Sequence, residues 1–269
     1  MKIYRYWSIE SATWPLDGVE QRFTSYGRSN ISVDDAKRDG QERLDRVRKK
    51  LRGDFVPPKQ DYSVDIREEI IDEMNPLNVI TRNRYGALVW NTTQYTVLDI
   101  DAVRPRPNFW EILGLKKRQE PKAIIMDNLQ EMVKRSAYRD LGFRVYETAQ
   151  GYRVVVLGRY FEPGTPDFRR LIKDSYTDWL YADICISQNC YRARLTPKPY
   201  RIGIERMHFK WPMTPDAYTQ AQTWLQAYTT ASEPFATCRY VTTLGLAVTA
   251  PDLGFHDHPS GAQTCKPLA

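Results

Sequence analysis

The stretch GFRVYETAQGYRVVVLG, residues 142–158, decides how the chain is read. Two runs rich in aromatic and β-branched residues flank Gln150-Gly151, and a turn dipeptide between such runs predicts a β-hairpin. Upstream, KAIIMDNLQEMVKRSAYRD (122–140) carries Ile124, Ile125, Leu129, Met132 and Val133 at helical spacing. Before it, QYTVLDIDAV (94–103) reads as a strand. Downstream, DFRRLIKDSYTDWLYADICISQN (167–189) reads as helical, and CYRARLTPK (190–198) as a strand stopped by Pro197 and Pro199. Counted from Val97, the series is strand, helix, strand, strand, helix, strand. That is the split βαβ order of ferredoxin-like (RRM-like) folds, so the expected class is α+β with a central antiparallel sheet.

Outward from this unit, MKIYRYWSI (1–9) and QRFTSYGRSN (21–30) have the alternating, aromatic character of strands. Ser32 as N-cap and Gly53 past the end bracket a long polar helix over VDDAKRDGQERLDRVRKKL. GDFVPPKQDYS (53–63) is a proline-marked connector and REEIIDEM (67–74) reads as a short helix. NVITRNRYGALVWNTTQYTVLDID (78–101) reads as two or three strands, and VRPRPNFWEILGLKKRQEP (103–121) as an irregular excursion. Near the end, PDAYTQAQTWLQAYTTAS (215–232) is helical and FATCRYVTTLG (235–245) is a strand or a short helix. The expected organisation is an α+β core over 1–203, with the split unit at about 97–197 and an N-terminal extension over 1–78, and a small helical lobe over 204–269 packed on it.

A chain of 269 residues with 42% apolar and 27% charged residues has the composition of a folded protein with a sizeable core. No apolar window approaches the ~20 residues of a membrane span, and the start MKIYRYWSIE lacks a signal segment. These features lead to the expectation of a cytoplasmic protein without a membrane partner. The net charge of +6 favours an anionic partner such as nucleic acid or nucleotide phosphate, or else is a solvated basic surface. Cys185, Cys190, Cys238 and Cys265 lack zinc-site spacing and read as reduced structural thiols. The HDH triplet at 256–258 could join Cys265 in a site, but reads rather as part of a loose polar terminus. Phosphate-loop, dinucleotide-fingerprint, nucleophile-elbow and HExxH motifs are absent, and three histidines leave little room for histidine acid–base chemistry.

Strand alternation puts Val97, Asp99 and Asp101 on one face and Leu98 and Ile100 on the other. If helices cover the Leu98/Ile100 face, both carboxylates stand on the open one. The same rule sends Arg192 and Arg194 to the open face, opposite Ala193 and Leu195. Asp99 and Asp101 so placed can hold Mg²⁺ or Mn²⁺ while leaving positions for water and phosphate oxygens. Arginine forks match phosphate geometry. The phosphate-binding candidates are Arg153, Arg192, Arg194 and the loop lysine Lys198, and the catalytic candidates are Asp99, Asp101 and Arg153. Glu147 is a third ligand or the end of an apolar face, and Asp183 an exposed helix residue. The alternatives are an inert Asp/Arg ion network and a non-catalytic single-strand binder stacking bases on Tyr146, Tyr152 and Tyr191.

With LDID on one strand, TAQGYRVVV in a hairpin and YRARLTPKP on a later strand, residues 79–203 resemble the catalytic domain of archaeo-eukaryotic primases and primase-polymerases. The resemblance implies metal ligands at Asp99 and Asp101, a nucleotide-contacting hairpin at Thr148 to Arg153, and metal-dependent nucleotidyl transfer. Two departures stand out: Arg153 occupies the place of that family's hairpin histidine, and arginines replace its third acid. With these departures the resemblance implies phosphate binding that has outlived polymerisation. Separately, VITRNRYGALVWNT, LDID and CYRARLTPKP resemble segments of an uncharacterised bacterial protein family, a likeness that spans most of the chain and implies no activity.

Overall fold

The computed structural model describes residues 1–54, 67–102, 120–209, 211–248 and 253–269. The chain is of the α+β class, with three antiparallel sheets and six helices among the described residues. Strands β1 (Tyr6–Leu16) and β2 (Val19–Ser29) form a long hairpin, and helix α1 (Val33–Leu51) lies across it. Ser32 caps α1 by accepting from Asp35 N–H. The helix sits almost on bare backbone, because a Cβ at Gly27 would come within 1.8 Å of the Ala36 carbonyl oxygen.

Next come β3 (Glu69–Asn75), β4 (Asn78–Arg82), β5 (Leu88–Thr92) and β6 (Thr96–Asp101), then helix α2 (Pro121–Val133). Glu69–Asn75 is thus a strand and not the short helix expected over 67–74. Its ladder to β4 is interrupted by irregularities, and an Asx turn, Leu77 N–H to Asn75 Oδ1 at 2.9 Å, joins the two. The turn chemistry prevails over the helix-favouring acids. Residues 103–119 and most of the connector after Gly53 lie outside the described residues.

The hairpin at 142–158 forms as β7 (Gly142–Thr148) and β8 (Gly151–Leu157), and β6 pairs with β8. Gly151 is required at this turn, since a Cβ there would lie 2.0 Å from the Ile100 carbonyl oxygen. The helical stretch 167–189 divides into α3 (Pro166–Ser175) and α4 (Trp179–Gln188). The break is Tyr176, in the left-handed region at φ 57, followed by Asp178 as the N-cap of α4.

Strand β9 (Tyr191–Arg194) departs from the expected topology. Three strands of the split unit lie in the order β7-β8-β6, but β9 pairs with β5 in a separate sheet, β3-β4-β5-β9. It runs beside β6 without forming a ladder. The start of α4 occupies the gap: the Tyr181 hydroxyl donates to the Val97 carbonyl at 2.9 Å and lies 3.5 Å from Arg192 N, while Asp178 N–H donates to the Asp99 carbonyl at 3.1 Å. These contacts satisfy the free edge of β6 that a fourth strand would otherwise cover.

Helix α5 (Pro215–Ser232) is followed by β10 (Cys238–Gly245), which adds to the hairpin edge to give β10-β7-β8-β6, and by helix α6 (Gly254–Ser260). The C-terminal part is therefore not merely a helical lobe. It contributes a strand, and Cys238, Leu253 and Ala262 enter the same core as Trp90, Leu98, Ile100, Phe143 and Val154. The HDH terminus is correspondingly not loose: His256 and Asp257 are buried.

Candidate functional site

Leu98 and Ile100 are buried, while Asp99 is half-buried and Asp101 exposed, as the alternation of β6 requires. Opposite them on β8, Asp99 faces Arg153 and Asp101 faces Gly151. On β9, Ala193 and Leu195 are buried and Arg192 and Arg194 turn the other way. The result is a cleft of about 980 Å³ that brings Asp99, Arg153, Arg192 and Arg194 together. One wall is α4, through Leu180, Tyr181, Asp183 and Ile184. Another carries aromatic rings, with Tyr85, His208 and Trp211 on its surface.

The four residues differ in what they already hold. Arg192 is committed: its Nη2 donates to both Glu68 oxygens, at 2.7 and 2.6 Å, and Glu68 also accepts from Thr81 Oγ1 at 2.6 Å. Burial alone would lower the Arg192 pKa, but the Glu68 carboxylate holds it above the usual arginine value. An ion network of the kind weighed from sequence thus exists around Arg192, with Glu68 as its acid and neither Asp99 nor Asp101 taking part.

Arg194 is in the opposite state. Its Nε is buried without a hydrogen-bond partner. Burial, then the neighbouring Arg153 cation, depress its pKa, while the Asp99 carboxylate partly offsets them. Arg153, 3% exposed, places Nη1 3.1 Å from His256 Nε2 and 3.9 Å from Cys238 Sγ, and has no carboxylate partner among the described residues. The Asp99 side chain accepts no hydrogen bond from a described residue.

Asp101 and Lys198 lie outside the cleft lining. Partial enclosure, then the Asp99 and Asp178 carboxylates, raise the Asp101 pKa, and Lys198 and Arg201 oppose this, so the four side chains are close neighbours. Among the described residues no three His, Cys, Asp or Glu side chains come together as a metal-holding group. Glu147 is not poised as a further ligand, because Lys122 Nζ binds it at 2.7 Å. Tyr146, Tyr152 and Tyr191 are core residues, 0%, 9% and 0% exposed, and present no face to a base. Large flat side chains on strands that are buried on both faces pack inward.

Several residues of the site carry no signal in the sequence. Glu68 follows a proline-marked connector and meets Arg192 across 124 positions. Asp183, exposed as expected, nevertheless lines the cleft beside Asp99. His256 and Asp257 arrive from the C-terminus. Asp257 Oδ1 receives Tyr146 Oη and His256 Nδ1, both at 2.8 Å, and Oδ2 receives Arg144 Nη2 at 2.7 Å.

Comparison of the chain with protein-family models, with curated proteins and with solved structures finds no match. Fold and site together define an α+β protein with an arginine-lined cleft between a sheet and helix α4. Among the described residues, no helix is long and apolar enough to cross a membrane.

Proposed function

We propose that the cleft binds the phosphates of a nucleotide or of nucleic acid, with Arg153 and Arg194 as anion ligands and Asp99 and Asp101 holding Mg²⁺ or Mn²⁺. The observation that carries this is the state of Arg194: a guanidinium on the cleft wall with a buried, unpaired Nε and a second guanidinium, Arg153, close enough to depress its pKa. A buried guanidinium N–H left unpaired is costly, and a multivalent anion between Arg194 and Arg153 offsets that cost. The rings of Tyr85, His208 and Trp211 offer stacking surface for a base in the same cleft.

The acids fit a cation of this kind. The two carboxylates stand one pleat apart, without a hydrogen-bond or ion-pair partner among the described residues, and partial burial, then the Asp99 and Asp178 charges, raise the Asp101 pKa. A hard divalent ion taking its other oxygens from water and phosphate needs no third side chain. When bound, such an ion neutralises phosphate charge and favours nucleotidyl or phosphoryl transfer. The primase-like reading of the LDID strand and hairpin rests on these groups, and Arg153 contributes charge there but no base.

Calorimetric titration with ATP, with and without Mg²⁺, tests the assignment. Wild type binds, Mg²⁺ strengthens binding, and Asp99→Asn/Asp101→Asn loses only the Mg²⁺ increment. No binding by wild type, or an increment that survives the double substitution, overturns it.

A further inference from the structure

The position of Arg153 raises a question that its neighbours answer. It is the direct cross-strand partner of Asp99, and the two side chains share the cleft. Opposite charges at such a site ordinarily pair. Here they do not, because Arg153 Nη1 is drawn to His256 Nε2 at 3.1 Å. A guanidinium can only donate, so Nε2 accepts and the ring proton sits on Nδ1, where it is donated to Asp257 Oδ1 at 2.8 Å. Asp257 is fixed in turn by Tyr146 Oη and Arg144 Nη2. Trp90 packs tilted and Tyr146 edge-on against the imidazole, with ring centroids 5.4 and 4.9 Å away. The ring thus has one orientation and one tautomer.

We infer that His256, oriented by Asp257, is a positioning residue that holds Arg153 off Asp99, so that the guanidinium stays open to an anion and the carboxylate to a cation. This rests on the phosphate-binding assignment of the cleft. It also gives the C-terminal segment a role at the site: Ala269 N–H donates to the Ala236 carbonyl at 2.9 Å, and Thr237 N–H to the Ser260 carbonyl at 2.9 Å, which ties the end of α6 and the chain end to the residues leading into β10. Without His256 the inferred outcome is an Asp99–Arg153 pair that closes both functions at once.

The test uses the full chain and His256→Phe, which keeps a ring among Trp90 and Tyr146 but removes the acceptor, alongside His256→Gln, whose amide oxygen can replace Nε2. ATP titration with Mg²⁺ gives the first measurement. His256→Phe is expected to lose about tenfold or more in affinity, the scale of one charge-assisted hydrogen bond, and His256→Gln to recover most of it. In an Arg153→Ala background His256→Phe then costs nothing further, because its effect runs through that one side chain. A loss of equal size in both backgrounds means a merely structural histidine and overturns the inference, as does unchanged affinity in folded His256→Phe. The second measurement needs no ligand: NMR of the arginine side chains detects restricted rotation of the Arg153 guanidinium. In an Asp99→Asn background, where the carboxylate cannot take over the guanidinium, restriction that persists unchanged when His256→Phe or, should that variant not fold, His256→Ala is added overturns the inference while leaving ATP binding intact. If wild type binds no ATP, the cleft assignment fails and the NMR result still decides what His256 does to Arg153.

Discussion

Asp99 and Arg153 stand directly opposite each other on β6 and β8, both facing the cleft, and their side chains form no ion pair. An unpaired carboxylate beside a second acid, Asp101, is the arrangement in which a divalent cation has most to offer. Mg²⁺ or Mn²⁺ at millimolar concentration should therefore stabilise wild type by mass action, by about 1 to 3 kcal/mol at saturating ion, and so raise its melting temperature. Asp99→Asn should abolish the increment without lowering the stability of the metal-free protein. Differential scanning calorimetry in Mg²⁺ and in chelator measures both, and an increment in Asp99→Asn equal to that of wild type would remove the cation from the site.

Arg194 presents the reverse balance, since its charge burdens the fold and serves the ligand. Replacing it by Met keeps an unbranched apolar stem on β9 and removes a guanidinium whose Nε is buried and unpaired. Arg194→Met is expected to stabilise the free protein by about 1 kcal/mol and to weaken ATP binding by at least about tenfold, the opposition typical of a residue kept for binding. Urea unfolding and calorimetric titration of the same preparation give the two numbers. A loss of stability together with unchanged binding would make Arg194 an ordinary structural residue.

How far these features can be read in advance depends on the range of the forces that make them. Periodicity places the 142–158 hairpin, helix α1 with its Ser32 cap, and the faces on which Asp99, Arg192 and Arg194 stand, because each follows from local backbone geometry. Whether β9 joins β6 is decided instead by Tyr181, whose hydroxyl takes the Val97 carbonyl across 84 positions. The same holds for Arg192, which the strand pattern aims correctly but whose partner Glu68 comes from an unrelated segment. The tyrosines 146, 152 and 191 show the complementary limit. Residue type makes them candidate stacking platforms, yet only the second layer of structure reveals that both their faces are covered.

The Arg192–Glu68 pair carries a prediction about stability alone. Both side chains are nearly buried, and the carboxylate also satisfies Thr81, so removing it strands a cation and a hydroxyl together. Glu68→Ala should destabilise the chain by about 3 to 5 kcal/mol, whereas the double change Glu68→Leu/Arg192→Met should recover much of that, because it leaves no charge unpaired. Denaturant unfolding at neutral pH separates the two cases. Equal losses in the single and double variants would mean that packing, and not the uncompensated charge, dominates at this position.

Asp257 sets the acid limit of the fold. Burial alone would raise its pKa, but the hydrogen bonds from His256 and Tyr146 and the nearby Arg144 cation hold it below the usual carboxylate value. A depressed folded-state pKa means that the ionised form is the one the native state prefers. Its contribution is therefore complete above the unfolded value of about 3.9 and is lost as pH falls through the folded value. Stability of wild type should decline through this range, and Asp257→Asn, already deprived of the contribution, should show a flatter profile below about pH 4. Stability measured by urea unfolding from pH 7 to 2.5 tests this directly, and parallel profiles for the two proteins would show that the ionisation of Asp257 is not what holds α6 in place.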